Sequence, residues 1–239
     1  MIDRLFKKLR VRDRLSETEE RALREVIEGQ DEIPAKQTMV KRGEPLDKSI
    51  LLLEGMVCRY KDLRNGRRQI SALHVPGDFL DLHGFTLKKL DHDVMTLSRC
   101  KVAYAGHKQL TTLTETFPHL TRMLWFTTNL DAAVHREWEL SLGQRTGVAR
   151  AAHLFCELYH RLKIVELVDG ASFGFPVNQT ELGECLGLTP VHTNRVLKEL
   201  RERGLAQFKQ ATVTIGNLHE LELLAEFEPS YLYLNSEPR

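Results

Sequence analysis

Residues 178–205 read NQTELGECLGLTPVHTNRVLKELRERGL, and this stretch decides the architecture of the C-terminal part. Asn178 suits a helix N-cap, with Glu181 three residues on to complete a reciprocal capping box. Leu182, Cys185 and Leu186 form the inner face of a short helix. Gly187 ends it, because a residue without a Cβ can turn sharply in the left-handed region. Thr189 caps a second helix and Pro190 takes its first position, where a missing N–H costs nothing. Val196, Leu197 and Leu200 face inward at helical spacing, and Gly204 closes the helix. Leu205–Phe208 and Thr212–Ile215 follow as a hairpin. Two short helices joined by a glycine turn, then a β-hairpin, make a winged helix-turn-helix pattern.

The second helix of such a unit leaves His192, Asn194, Arg195, Lys198 and Arg201 on its outer face. These residue types suit the major groove, which the N-terminal half of that helix enters. Arg195 can bind guanine O6 and N7 together, Asn194 can pair with adenine, and Val191 can pack on a thymine methyl. Lys198, Arg201 and Lys209 are candidates for phosphate contacts. The alternative is a winged-helix module for protein partners, with a charged face that is merely solvated.

Upstream, Gly143-Gln144-Arg145-Thr146-Gly147 marks a hinge, and Ala149–Ile164 reads as a helix with Ala152, Phe155, Cys156, Tyr159 and Leu162 inward. Phe173–Phe175 is short and extended. From Pro118 to Leu142 nothing interrupts a helix about 37 Å long at roughly 1.5 Å per residue. Its apolar positions are wider than one stripe, so more than one face must be covered. A second copy of the helix would cover it, with Leu120, Met123, Leu130, Val134 and Trp138 at the seam of a homodimer. Burial within a monomer is the alternative.

From about residue 33 to 105 the glycines fall at Gly43, Gly55, Gly66 and Gly77, spaced by 12, 11 and 11 residues. Between them lie Ile50–Leu53, Val57–Tyr60 and Gln69–Val75, with Lys101–Tyr104 beyond; regular short strands of this kind predict an antiparallel sandwich or roll. Asn65-Gly66 predicts a hairpin with both residues at positive φ, as in a type I′ turn. Gln109–Glu115 reads as a short helix. Ser16-Glu17-Thr18-Glu19 has the capping-box pattern of a single opening helix that Gly29 stops.

Composition agrees with a globular chain. Of 239 residues 42% are apolar and 28% charged, and the apolar run Ile50–Leu53 ends at Glu54, far short of a membrane span. Met1–Leu5 lacks a signal-peptide core, so a cytoplasmic location is expected. Lys and Arg number 34 against 33 acids, yet residues 144–216 carry a balance of +2 and residues 217–239 one of −4. An acidic tail therefore masks a mildly basic segment. Cys58, Cys100, Cys156 and Cys185 are at least 29 residues apart, which suits buried reduced thiols rather than a Cys-x-x-Cys centre.

The whole order resembles the Crp/Fnr family of bacterial transcription regulators. Leu182-Gly183-x-x-Leu186-Gly187-Leu188-Thr189 with Arg195 and Leu197 is similar to that family's DNA-reading unit, and Val75-Pro76-Gly77-Asp78-Phe79 to the turn before its ligand pocket. The ending Phe227-x-Pro229-x-Tyr231-Leu232-x-Leu234 is similar to tails in one branch. The resemblance implies an α+β chain. It would have a jelly-roll-like β-roll sensor at 1–117, a dimerisation helix at 118–143 and a winged helix-turn-helix at 144–239. It implies double-stranded DNA as partner, a homodimer, and RNA polymerase as a further partner. Arg195 matches the family's base-reading arginine, but Val191 stands where the usual acidic reader would be. Thr180, Thr189 and His192 match positions that touch phosphate.

The ligand pocket departs from the cyclic-nucleotide pattern. Asp81-Leu82-His83-Gly84 replaces the family's Gly-Glu-Leu, and Leu90-Asp91-His92-Asp93 replaces its Arg-Ser pair. Acids around a phosphate site are unfavourable, although Lys88 and Lys89 lie near in sequence; cyclic AMP is therefore not the expected effector. Asp81, Leu82, His83, Asp91 and His92 remain the candidate pocket for an unassigned small molecule. The iron–sulfur variant of the family needs N-terminal cysteines, and residues 1–57 have none. Cys58, His74, His83, His92 and His107 leave a haem- or metal-dependent sensor as an alternative. A jelly-roll metal enzyme would want histidines closer than the nine-residue spacing of His74, His83 and His92. No catalytic residues, cofactor or metal ligands are expected.

Overall fold

The computed structural model describes residues 2–237, which divide into two compact units. The first takes the chain up to Tyr60, Leu73–Ala132 and the residues from Tyr233; the second takes Lys61–Ala72 and Ala133–Leu232.

The first unit opens with helices α1 (Asp3–Arg10) and α2 (Glu17–Val26). The capping box of α2 is present in full, with Ser16 accepting from Glu19 and Glu19 reaching back. Strands β1 (Ile27–Ile33), β2 (Thr38–Val40), β3 (Lys48–Glu54), β4 (Val57–Asp62) and β5 (Arg68–His74) follow. Then come the single turn α3 (Gly84–Leu87), strands β6 (Asp93–Thr96) and β7 (Cys100–Gly106), and helix α4 (His107–Thr116). The strands pair antiparallel, in sheets of order β1-β7-β3 and β2-β6-β4-β5.

Strand β3 explains why Ile50–Leu53 reads as an unbroken apolar run. Ile50 and Leu52 face a cluster with Val57, Leu80, Leu90, Val94 and Val102. Leu51 and Leu53 face the opposite way, into a cluster built from Leu5, Phe6, Leu9, Leu23, Leu110 and Leu113 of the helices. Period-two alternation thus buries both faces of one strand.

Three local expectations are corrected. The chain opens with two helices rather than one, because α1 buries Leu5, Phe6 and Leu9 at helical spacing. Helix α2 stops at Val26, and Gly29 lies inside β1 at φ +61, where the register with β7 slips between Glu28 and Asp31. That is the position a β-bulge takes, and glycine's left-handed freedom serves it there. In the β4–β5 hairpin only Gly66 has positive φ, at +80. Gly66 N–H donates to Leu63 O at 3.0 Å and Leu63 N–H to Arg67 O at 2.8 Å. The loop is thus a three-residue turn closed by a left-handed glycine, not a type I′ turn.

Helix α5 (Pro118–Gln144) runs as expected, and the division between the units falls inside it. The second unit continues with α6 (Gly147–Ile164), β8 (Val168–Asp169), β9 (Ser172–Gly174), α7 (Gln179–Leu186) and α8 (Pro190–Glu202). Strands β10 (Ala206–Lys209) and β11 (Thr212–Ile215), helix α9 (Leu218–Ala225) and a 3-10 turn at Pro229–Leu232 complete it. Its sheet has the order β10-β11-β9-β8. No helix among the described residues is long and apolar enough to cross a membrane.

Candidate nucleic-acid interface

The local grammar of residues 178–205 is realised bond for bond. Asn178 Oδ1 accepts from Glu181 N–H at 2.9 Å, and Glu181 Oε2 accepts from Asn178 N–H at 2.9 Å. Gly187 caps α7 at φ +62. Thr189 Oγ1 accepts from His192 N–H at 3.3 Å, with Pro190 at the first position of α8.

The two helices meet at Gly183, where a Cβ would stand 2.7 Å from Leu188 O and 3.0 Å from Thr193 Oγ1. Only a hydrogen fits there, so this glycine sets the close crossing of α7 and α8. Thr193 is fully buried and donates to Thr189 O at 3.0 Å. Sequence reasoning misses it because a hydrophobic pattern does not register a hydroxyl that satisfies itself on the preceding turn. Leu197, expected inside, is only half-buried.

Sequence reasoning misses Arg150 as well. Its guanidinium donates to Ser141 O at 3.2 Å, Leu142 O at 3.1 Å and Arg145 O at 3.1 Å, and also to Leu186 O. One cation thereby serves the carbonyls that end α5 and α7, where the helix dipoles are negative. A cavity of about 10 Å³ lined by Trp138, Ser141, His153 and Cys185 adjoins it. That is room for one water and no more.

With Thr193, Val196 and Leu200 buried, α8 turns Val191, His192, Asn194, Arg195, Lys198 and Arg201 outward, all exposed. Val191 stands 64% exposed, an apolar side chain with no cover in this chain. Arg195 has no ion-pair partner among the described residues, while Lys198 lies 3.6 Å from Glu202. Thr180 and Thr189 at the starts of α7 and α8 are exposed, as is Lys209 on the β10–β11 hairpin.

These geometries coincide with sequence matches. Residues 149–224 match the Crp-like helix-turn-helix domain, and residues 30–117 match the cyclic nucleotide-binding domain. The chain belongs to the Crp/Fnr family. It is a DNA-binding transcription regulator of the Crp/Fnr type. Among its relatives, the transcriptional activator protein FnrL of Cereibacter sphaeroides is 28% identical over 194 residues, covering 79% of this chain and 77% of its own. Electron transport regulator A of Shewanella oneidensis is 24% identical over 203 residues, 85% of this chain and 81% of its own. The structure of FixK2 from Bradyrhizobium japonicum shares the fold, with a TM-score of 0.75 at 24% identity over 82% of this chain and 96% of that one.

The Crp/Fnr roll carries the second set of expected residues. Asp81 is fully buried; Oδ1 accepts from Ile50 N–H at 2.6 Å and Oδ2 has no hydrogen-bond partner among the described residues. Burial pushes its carboxyl up to about 7, against the opposing pull of Ile50 N–H and the Arg59 guanidinium. Arg59, itself buried, donates to Leu80 O at 2.9 and 2.6 Å and to the Asp131 carboxylate. His92 is buried and held below its ordinary range by burial, with Asp91 at 2.9 Å on Nδ1. The His83 ring lies tilted beside it, ring centroids 5.5 Å apart.

Two of the five pocket residues are corrected. The Asp91 side chain is 75% exposed, because it caps the outside of the His92 ring rather than lining an interior. Leu82 belongs to the helix-facing core cluster. The dimer-seam set also changes. Leu120 and Met123 are fully buried in that same cluster, so no second helix can reach them. Trp138 is buried and donates its indole N–H to Glu157. Val134 is buried at 8% exposure and Leu130 half-buried. The exposed positions of α5 instead include Arg122, Trp125, Asn129, Ala132, Arg136 and Leu140, a stripe at three- and four-residue steps.

The four cysteines are buried and outside any disulfide. Among the described residues no group of three His, Cys, Asp or Glu side chains could hold a metal ion.

Proposed function

We propose that this regulator works in the cytoplasm as a homodimer, reads a two-fold symmetric operator through α8, and has no catalytic activity. The observation that carries the reading is the outer face of α8, where Arg195 stands exposed beside Asn194 and Val191, without an ion-pair partner among the described residues. Arg195 would take a guanine bidentately, Val191 a thymine methyl, and Asn194 an adenine. Thr180, Thr189, His192, Lys198, Arg201 and Lys209 would hold phosphates. Two such units on one face of the duplex place half-site centres one helical turn apart, about 34 Å.

The FnrL relative is named a transcriptional activator protein, which supports a role in transcription activation, and RNA polymerase is the further partner of this reading. Cyclic AMP is not the expected effector. Arg59, whose charge is felt by the buried Asp81 and His92, is already engaged by Leu80 O and Asp131. A phosphate would have to displace that pairing. Selection of duplexes from a random library by purified protein tests the reading. A two-fold symmetric consensus supports it, and uniform recovery of all sequences refutes it.

A further inference from the structure

We propose that the loop of the β4–β5 hairpin is a second contact to DNA, in which Arg64 and Arg67 hold backbone phosphates outside the bases read by α8. The inference rests on the reading of α8 as the DNA-facing element and adds a surface to it.

Residues 61–68 read KDLRNGRR, four cations against one acid. That acid is spent, since Asp62 accepts two hydrogen bonds from Arg68, at 2.7 and 2.9 Å. The guanidinium groups of Arg64 and Arg67 have no ion-pair or hydrogen-bond partner among the described residues, and every residue from 61 to 67 is exposed. The loop is held in shape by the Gly66 and Leu63 backbone bonds and by Asn65 Oδ1, which accepts from Arg67 N–H at 3.1 Å. Two uncompensated guanidinium groups on a turn whose backbone is held in shape are a phosphate-binding feature.

The location decides which polyanion they meet. Lys61–Ala72 belongs to the same compact unit as α7 and α8. Gln69 donates its side-chain amide to Glu184 O at 2.7 Å, at the end of α7. Its Oε1 lies 3.8 Å from where a Cβ on Gly187 would sit, in the turn that leads to Thr189. Arg67 is two residues away, about 7 Å along an extended strand. The arginines therefore sit on the loop that leads into β5, whose Gln69 is bonded to the helix-turn-helix itself. Leu63 is the one exposed large apolar residue of the loop, too little for a protein-docking patch by itself.

The test uses the full-length protein, a duplex selected by the wild type and a random-sequence duplex of the same length. The double variant Arg64→Ala/Arg67→Ala should weaken binding to both duplexes by the same factor. It should also flatten the log–log salt dependence by about 0.9 for each phosphate no longer neutralised. The double variant Arg64→Lys/Arg67→Lys should restore most of the salt slope, because charge rather than base geometry sets it. Both sites are exposed, so folding is preserved. An unchanged salt slope overturns the proposal, as does a loss confined to the selected duplex. A variant that binds DNA like the wild type but fails to recruit RNA polymerase makes the loop a protein contact and equally overturns it. The underlying reading fails differently: Arg195→Ala would leave the preference for the selected duplex intact.

Discussion

Trp138 donates its indole N–H to Glu157 Oε2 at 3.1 Å, and both side chains are buried. Tyr231 donates to the same oxygen at 3.0 Å, and Arg161 to Oε1 at 2.8 Å. A fully buried carboxylate is tolerable only with such a complement of donors. It ties the end of α5, helix α6 and the C-terminal segment into one network. His153 stacks on Tyr231 at 5.9 Å, and Phe227 stacks on His160 at 5.3 Å. Tyr231→Phe removes one charge-assisted hydrogen bond and should cost about 1.5–3 kcal/mol in urea unfolding. Glu157→Ala strands Arg161 and two donors together, and should cost roughly 3–5 kcal/mol. Equal losses for the two variants would show that Tyr231 is the whole of the network.

Asp81 gives the roll a pH dependence of unusual sign. The unfolded carboxyl ionises near its ordinary value of 3.8, whereas burial holds the proton in the fold to about 7. Between these values the folded state binds more protons, so stability falls as pH rises and levels off above 7. Asp81→Asn keeps an acceptor for Ile50 N–H and removes the titration. The variant should match the wild type near pH 4 and exceed it at pH 8, by on the order of a few kcal/mol. The contribution of His153 should run the other way. Burial and then Arg145 hold His153 down to about 3, so its contribution is lost as pH falls from 6.5 toward 3. Urea midpoints from pH 4 to 8 check both signs.

Gly183 stands at the crossing of α7 and α8. A methyl group there meets the Leu188 carbonyl at 2.7 Å, and a backbone atom cannot swing aside as a side-chain tip can. Gly183→Ala should push α7 and α8 apart and cost about 1–3 kcal/mol of stability. DNA affinity should fall with it, because α8 is displaced. Gly204→Ala and Gly174→Ala are the comparison: nothing lies within 4 Å of either added methyl. Gly174 has an ordinary φ, while Gly204 at +68 keeps a backbone cost without a clash.

Legibility in the sequence depends on whether the physics is local. The caps at Asn178 and Thr189, Pro190 at the head of α8 and the left-handed Gly187 are all legible, since each is settled within four residues. Gly29 is not, because a glycine can end a helix or bulge a strand and only the pairing with β7 decides between them. Leu120 and Met123 are rightly apolar and wrongly assigned to a seam. Periodicity says that a face is covered, not which element covers it. Arg150 and Thr193 stay invisible because their partners are backbone carbonyls, four of them scattered from Ser141 to Leu186 for the arginine.

The proposed dimer seam makes a discriminating prediction on α5. Trp125 is 66% exposed, and exposure of so large an apolar side chain on a long helix is what a partner helix would remove. Trp125→Glu should leave the fold within about 0.5 kcal/mol of the wild type, as surface changes do. It should shift sedimentation from dimer to monomer. Met123→Asp should unfold the first unit instead, because that side chain is fully buried in its own chain. A dimeric Trp125→Glu protein would place the seam elsewhere.

Arg195 carries the last prediction, because it separates reading from holding. It lies on the exposed face of α8 one residue from buried Val196, so its backbone is fixed while its guanidinium is free to reach a base. A bidentate arginine–guanine contact is worth about 1–3 kcal/mol of discrimination. A dimer has two, so Arg195→Ala should weaken operator binding by roughly 2–6 kcal/mol if the halves act independently. The loss should appear as relaxed preference at one symmetric base position. Lys198→Ala should act on all sequences alike and flatten the salt dependence, since a phosphate contact releases counterions without distinguishing bases. Its effect should be the smaller, because Lys198 shares its charge with Glu202 at 3.6 Å. Titrations across a library of half-site substitutions at two salt concentrations distinguish the two patterns. If Arg195→Ala lowers every sequence equally, the arginine clamps phosphate, and base reading passes to Val191 and Asn194.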